Sequence, residues 1–451
     1  MKENNSATRR HLLKIKIIAF ILIFVLLLAY FNRVMTYSSY VVESRWMTEI
    51  YEEKENSLDA VYIGSSKVYA YWNPNVAWND YGITVYPYNC ASQPLMVAEY
   101  LVREARKTQP DAVYIINIST LGDGGVKDYV MHRLFDFMPF SIDKLKFMDY
   151  CLDMAELGPL ERLEYYFPII RYHTKSTNLK EGNVSPSSLK DVNGANTLGH
   201  YFNRTVDLTD EYKITDERVG ISKELDQSID SLLDYCEAEN VKVLFTSAPC
   251  AENEEMRGKI NTVADKIEAR GFDVCNFVKH PEEMNLDLAT DYYNSDHTNV
   301  HGSIKYTKHL SEYLVDKYHF KNKKNDKDYE SWNKGYENYQ KYITPYALDI
   351  EIDSSYSRDY SLEAPEWFGV SAEEPYNEVY WKKSEEAQGY AIYRKCDNSS
   401  WERIADVTDN SYIDKKVEAG HSYTYTVVPY RMSNGVKSYG KFKYNGVTVK
   451  F

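Results

Sequence analysis

Ala60-Val61-Tyr62-Ile63-Gly64-Ser65-Ser66-Lys67 is the stretch that decides how this chain is read. A short apolar run has the length of a buried strand, Gly64 permits a tight turn, and the two serines stand where a helix begins. A serine hydroxyl is a poor nucleophile at neutral pH and needs an imidazole to take its proton. Far downstream, His297-Thr298-Asn299-Val300-His301-Gly302 opens a helical pattern and offers that imidazole.

Outward from these two segments, short apolar runs alternate with longer amphipathic ones, the pattern of a doubly wound parallel sheet. Residues 60–63, 83–88, 112–118 and 241–247 read as strands, with 272–277 as a further one. Helical patterns cover 95–107, 227–239, 254–270 and 303–318. In open α/β sheets ligands bind beyond the carboxyl ends of the strands, and Ser65-Ser66 falls at such an end. Aromatic-rich helical pieces interrupt the alternation over about 121–221, Tyr165-Tyr166-Phe167-Pro168-Ile169-Ile170 among them. That insertion reads either as a lid or substrate cradle over the active-site edge, or as an extra helical layer.

The first residues differ in kind. Lys2, Arg9, Arg10, Lys14 and Lys16 lead into the uninterrupted apolar run 17–31. Counted from Leu12, with the two lysines snorkelling, it reaches the roughly 20 residues that cross a bilayer. Asn32-Arg33-Val34-Met35-Thr36-Tyr37 follows, without the small residues that a signal peptidase prefers. The expectation is a cytoplasmic stub and transmembrane anchor over 1–33, with the remainder outside a bacterial cell membrane, since basic residues stay inside. A formal charge of -14 argues against nucleic acid, which needs clustered Lys and Arg. Six cysteines show no C-x-x-C spacing, and His301 with His297 and Asp296 shows neither a further ligand nor a His-Glu-x-x-His pattern, so neither a metal nor another cofactor is expected. Of the 42 tyrosines, exposed ones suit sugar contacts, offering an apolar face with a polar tip, and many others read as core or strand residues.

Residues 321–361 are polar and tyrosine-dotted and read as a linker. Beyond 362 short β runs at 378–381, 389–394, 411–414 and 422–430 recur at about ten-residue spacing, the signature of an antiparallel sandwich. With Trp381 early, Gly420 before the Tyr-x-Tyr strand and Tyr423 at the tyrosine-corner position, 362–451 resembles a fibronectin type III module.

Residues 63–69 and 297–302 resemble the first and last blocks of the SGNH/GDSL hydrolase superfamily, in its membrane-anchored DltD-like and alginate-acetylation-like branch, with 88–94 in the second-block position. The resemblance runs from about 59 to 318, within a domain of 34–320. It implies an α/β, flavodoxin-like three-layer fold with a parallel sheet and helical insertion, followed by the all-β fibronectin III-like sandwich. It maps the nucleophile to Ser66, the base to His297, and Ser65 to a slot that is Asp in other branches. The family's Asp three residues before the His is here Asn294, so the orienting group is Asn294 or the adjacent Asp296, with Asp291 a further substitute. The N–H groups of Ser66 and Ser92, with Asn89 or Gln93, are oxyanion candidates; Ser92 and Gln93 read equally as a helix cap before Pro94. The family's donor loop is missing, and Asn117 is the residue nearest to that place. The implied function is an extracytoplasmic serine esterase or O-acyltransferase on acyl esters of cell-envelope polysaccharide or a teichoic-acid-like polymer, working beside a membrane-bound O-acyltransferase. The alternative is a catalytically inactive scaffold that binds the polymer.

Overall fold

The computed structural model describes residues 2–37, 44–122, 125–174, 206–289, 291–339 and 357–451, apart from 360, 367, 398, 400, 434–435 and 444–445 in the last stretch. The first helix, α1 (Lys2–Tyr37), is continuous, and its segment His11–Thr36 is long and apolar enough to span a membrane, with mean hydropathy 2.8. Its last turns are not free: Val34, Met35 and Thr36 are buried. After a short α2 (Ser44–Thr48), five strands form one parallel sheet: β1 (Ala60–Gly64), β2 (Val85–Asn89), β3 (Val113–Asn117), β4 (Val243–Ser247) and β5 (Val274–Asn276). Their spatial order is β2-β1-β3-β4-β5, the flavodoxin-type winding. The five predicted strand runs are all present; β1 is one residue longer than its predicted run and the other four are shorter than theirs.

Every residue of β1 to β4 is buried, as a parallel sheet covered on both faces requires. Side chains alternate between two cores with the two-residue period of a strand. Val61, Ile63, Tyr114, Ile116 and Phe245 join one cluster, and Ala60, Tyr62, Val113, Ile115 and Leu244 the other. The second cluster holds α3 (Ser66–Tyr71) and most of the packing from α12 (Val300–Tyr318), while α4 (Pro74–Tyr81) divides its side chains between the two. The first cluster takes α5 (Ala98–Ala105), α10 (Lys223–Ala238) and α11 (Glu254–Ala269).

Within the insertion, α6 (Asp128–Phe135) and α7 (Ile142–Met154) send Val130, Leu134, Phe135, Phe147 and Met148 into that first cluster. The described part of the insertion is therefore the extra helical layer, continued by α8 (Leu163–Tyr166) and α9 (Pro168–Tyr172). α9 packs against α1, and the Ile169 N–H donates to Asn32 Oδ1 at 2.7 Å. Residues 175–205, which the lid reading also covers, lie outside the described residues. The polar stretch after α12 is docked as far as 339: Trp332 is buried in the first cluster, Lys323 pairs with Asp59 at 2.8 Å, and Asn73 donates to the Tyr339 hydroxyl. Of the rest of the predicted linker, 340–356 and 360 lie outside the described residues, while Ser357–Arg358 form a strand that pairs with the C-terminal sheet and are not linker.

The two-strand hairpin β6 (Tyr292–Asn294) and β7 (His297–Thr298) precedes α12. The C-terminal part is antiparallel. It comprises β8 (Ser357–Arg358), β9 (Phe368–Glu373), β10 (Tyr376–Trp381), β11 (Gly389–Cys396), β12 (Glu402–Val407), β13 (Ser411–Asp414), β14 (Ser422–Ser433), β15 (Val436–Tyr439) and β16 (Val447–Lys450). One sheet runs β13-β10-β9 and the other β12-β11-β14-β15-β8, with β8 alone parallel to its neighbour and β16 paired to β14. Trp381, Tyr390, Ile392 and Tyr425 share a core. The Tyr423 hydroxyl accepts the Glu418 N–H at 2.9 Å, the bond of a tyrosine corner.

Candidate active site

Chain reversal between β1 and α3 is held by local chemistry. Ser65 is extended and caps α3, its Oγ accepting the Lys67 N–H at 3.3 Å and meeting Thr120 Oγ1 at 2.7 Å. Gly64 is required by close approach, not by a special backbone angle. A Cβ there would lie 2.7 Å from Val68 Cγ2 and 2.8 Å from Asn117 Cβ. Ser66 thus becomes the first residue of α3, half-buried, at the carboxyl end of β1 where the winding reverses between β1 and β3.

The downstream segment reaches it by a similar economy of space. Asn299 caps α12, accepting the Gly302 N–H at 3.2 Å, and a Cβ on Gly302 would lie 2.3 Å from the Asp291 carbonyl. Thr298 Oγ1 donates to the Ala70 carbonyl at 2.6 Å and so ties β7 to α3. With that tie in place, His297 Nε2 lies 2.8 Å from Ser66 Oγ.

Of the candidate orienting residues, Asn294 is the one that meets the imidazole. In the hairpin, Asn294 is the register partner of His297, and its Oδ1 lies 3.0 Å from His297 Nδ1. The same oxygen accepts the backbone N–H groups of Asp296 and His297, each at 2.9 Å. Those two donors fix the amide orientation, because a side-chain NH₂ has no lone pair for them. Nδ1 therefore carries its proton, and Nε2 presents a lone pair to the Ser66 hydroxyl. The neutral Asn selects the tautomer a general base needs; what it lacks is the charge that stabilises an imidazolium.

Asp296 is displaced from that role. It sits in the hairpin turn, its side chain 48% exposed and 3.8 Å from Lys67 Nζ. Asp291 is bonded to Lys305 at 2.7 Å and to the Asp287 N–H, away from the imidazole. Lys67, adjacent to Ser66 and buried, is paired with Glu252 and also donates to the Ser119 carbonyl at 3.4 Å. Burial works against its charge, but Cys250, Glu252 and Asp296 outweigh burial and hold its pKa above the usual lysine range. Burial in turn pushes the Cys250 thiol up to about 11, against the pull of Lys67. This ionic group was not foreseen. Its one sequence signal is a lysine directly after the serine, and nothing in the spacing points to Glu252.

The other candidates cluster at the same sheet edge with unequal prospects. After β2, the Gln93 N–H donates to the Cys90 carbonyl at 3.2 Å, closing a turn in which Ser92 takes φ +60. Gln93 Oε1 accepts the Cys90 N–H, and the short helical turn that follows has no side-chain cap, so the helix-cap reading of Ser92 and Gln93 does not hold. Among the described residues, neither the Ser66 nor the Ser92 N–H is taken by an internal hydrogen bond. A non-glycine residue held at positive φ stores of order 1–3 kcal/mol, a cost that concentrates at functional sites. Asn89 is buried, donating to the Pro87 carbonyl, and is the register partner of Gly64. Asn117 is buried on Gly64, its Oδ1 accepting the Ser119 N–H at 3.0 Å. Among the described residues, two groups of possible metal ligands occur, Cys396-Asp397-His421 and Asp128-His132-Glu164, and neither contains any of these residues.

No protein-family model matches the chain, and no curated protein matches it. Among solved structures it is similar to one described as FN3tt mut, at 16% identity with TM-score 0.17, covering 20% of this chain and 93% of that one. It is also similar to a Fn3-like protein from Clostridium thermocellum, at 25% identity with TM-score 0.15, covering 20% of this chain and 94% of that one.

Proposed function

We propose that this chain is a membrane-anchored serine acyl-ester enzyme, an esterase or O-acyltransferase of SGNH type that acts outside the cell on acylated envelope polysaccharide or teichoic-acid-like polymer. The observation that carries this reading is the hydrogen-bonded chain Ser66–His297–Asn294 at the switch point of the sheet. In the first half-reaction Ser66 Oγ bonds to the ester carbonyl carbon while His297 Nε2 takes its proton. The tetrahedral oxyanion meets the free N–H groups of Ser66 and Ser92. Collapse breaks the bond to the alcohol oxygen, which leaves with the proton from Nε2. In the second half-reaction water or a sugar hydroxyl gives its proton to Nε2 and attacks the acyl-serine, releasing a free acid or a new ester and restoring Ser66. A membrane-bound O-acyltransferase that supplies acyl groups is the partner this reading implies.

The test is labelling of the full chain in detergent by a fluorophosphonate, read by intact mass. Wild type gains one adduct, and Ser66→Ala and His297→Ala gain none. A folded wild type that stays unlabelled overturns the enzyme reading in favour of a polymer-binding scaffold.

A further inference from the structure

The insertion leaves much apolar surface uncovered beside α1. Phe140 is 81% exposed, Ile142 71% and Leu160 83%, and Leu163, Phe167 and Ile170 are exposed as well. Large apolar patches on a protein surface mark partner or membrane contacts. The same segment and α1 enclose a cavity of about 1000 Å³, at the upper end of the roughly 300–1,000 Å³ of small-molecule sites. Val25 and Leu28 of α1 face Leu145, Met148 and Phe167 across it, and Phe140 belongs both to its wall and to the exposed patch.

Position along α1 determines what fills this space. The apolar run ends at Phe31, and Val25 lies six residues earlier, roughly 9 Å back along the axis at 1.5 Å per residue. With about 20 residues in the hydrocarbon, a cavity that reaches Val25 extends below the level where α1 leaves the bilayer. Acyl chains, not water, are the solvent at that depth. Arg33 and Lys144 stand along the same wall, with Glu52 and Asp136 keeping its polar end near neutrality.

We infer that this cavity is a lipid site, holding one phospholipid of the outer leaflet. Its acyl chain lies along Val25, Leu28 and Phe167 and its phosphate lies at the level of Arg33 and Lys144, while Phe140, Ile142 and Leu160 sit in the interfacial layer around it. The inference rests on α1 crossing the membrane and is independent of the chemistry at Ser66.

The test uses the full chain in phosphatidylcholine nanodiscs with Cys275 and Cys396 replaced by Ser. Leu22→Cys, Phe140→Cys, Leu160→Cys and Ile214→Cys each carry a nitrobenzoxadiazole label, and doxyl-phosphatidylcholine is the quencher. Position 214 is exposed and apolar but lies elsewhere in sequence. Labels at 22, 140 and 160 are expected to be quenched several-fold more than the label at 214. Strong quenching at 22, with 140 and 160 no different from 214, overturns the lipid site and leaves the anchor standing. An unquenched label at 22 overturns the anchor, and the lipid site with it.

Discussion

At the residue scale, the neutral third member sets what the site does. Asn294→Asp keeps an oxygen for both backbone donors and adds the missing charge, so fluorophosphonate labelling accelerates by at least about tenfold, within the roughly 10⁴ that such a charge is worth in a serine protease. Asn294→Leu removes the tautomer lock and slows labelling by a comparable factor; equal inactivation rates in wild type and both variants would refute the assignment. Ser66 and His297 were legible in the sequence because each stands in a short segment beside a glycine that close packing demands. The choice between Asn294 and Asp296 was not, since it depends on a hairpin register that no spacing reveals: pairing sets Asn294 opposite His297 and leaves Asp296 in the turn. Arg257 was not legible either, because an arginine within an amphipathic helix reads as solvent-facing. It is buried, its guanidinium carbon 4.6 Å from the Tyr212 ring centre, and among the described residues none of its three nitrogens finds a hydrogen-bond partner. An unpaired buried charge costs several kcal/mol and a cation–π contact returns about 2. Arg257→Met is accordingly expected to raise the melting temperature, and a fall would show that the guanidinium is better compensated than this geometry allows.

At the element scale, Gly64 joins strand, helix and neighbouring strand, so Gly64→Ala forces α3 away from β3 and costs about 1–3 kcal/mol, measured by denaturant unfolding together with loss of labelling at Ser66. The strands were legible because a sheet covered on both faces writes itself as short apolar runs. The docking of residues 321–339 was hidden by their polar composition, since one buried Trp among lysines carries no period. Trp332 donates to Glu53, whose carboxyl is pushed up to about 7 by burial, with the Trp332 bond opposing and Glu52 assisting. A carboxyl raised in the folded state gives stability that is fully present below its unfolded pKa near 4.5 and lost as pH rises through about 7. Glu53→Gln is thus expected to match wild type at pH 4.5 and to melt higher at pH 8; identical melting at both would place Glu53 in water.

At the scale of the whole molecule, among the described residues no core cluster contains members of both the α/β part and the antiparallel part. Separate cores predict two transitions in scanning calorimetry, the later unchanged in position when Gly64→Ala lowers the earlier or the reverse, whereas one transition moved as a unit would contradict separate folding. Which half melts first is not encoded in composition, because both halves are rich in buried tyrosine.

The bond between Asn32 and Ile169 makes α1 a strut and not a leash. A domain on a slack stalk sweeps a volume and meets targets at many heights. With α1 crossing the membrane as proposed, a domain clamped to its last turns holds its serine at a single altitude above the lipid. Such a protein cannot patrol the depth of a wall. Under the proposed function it works like a fixed gantry, with polymer modified as each segment passes the level of Ser66, and lengthening or loosening the junction near residue 33 is then expected to redistribute acyl groups along the polymer without altering the chemistry that transfers them.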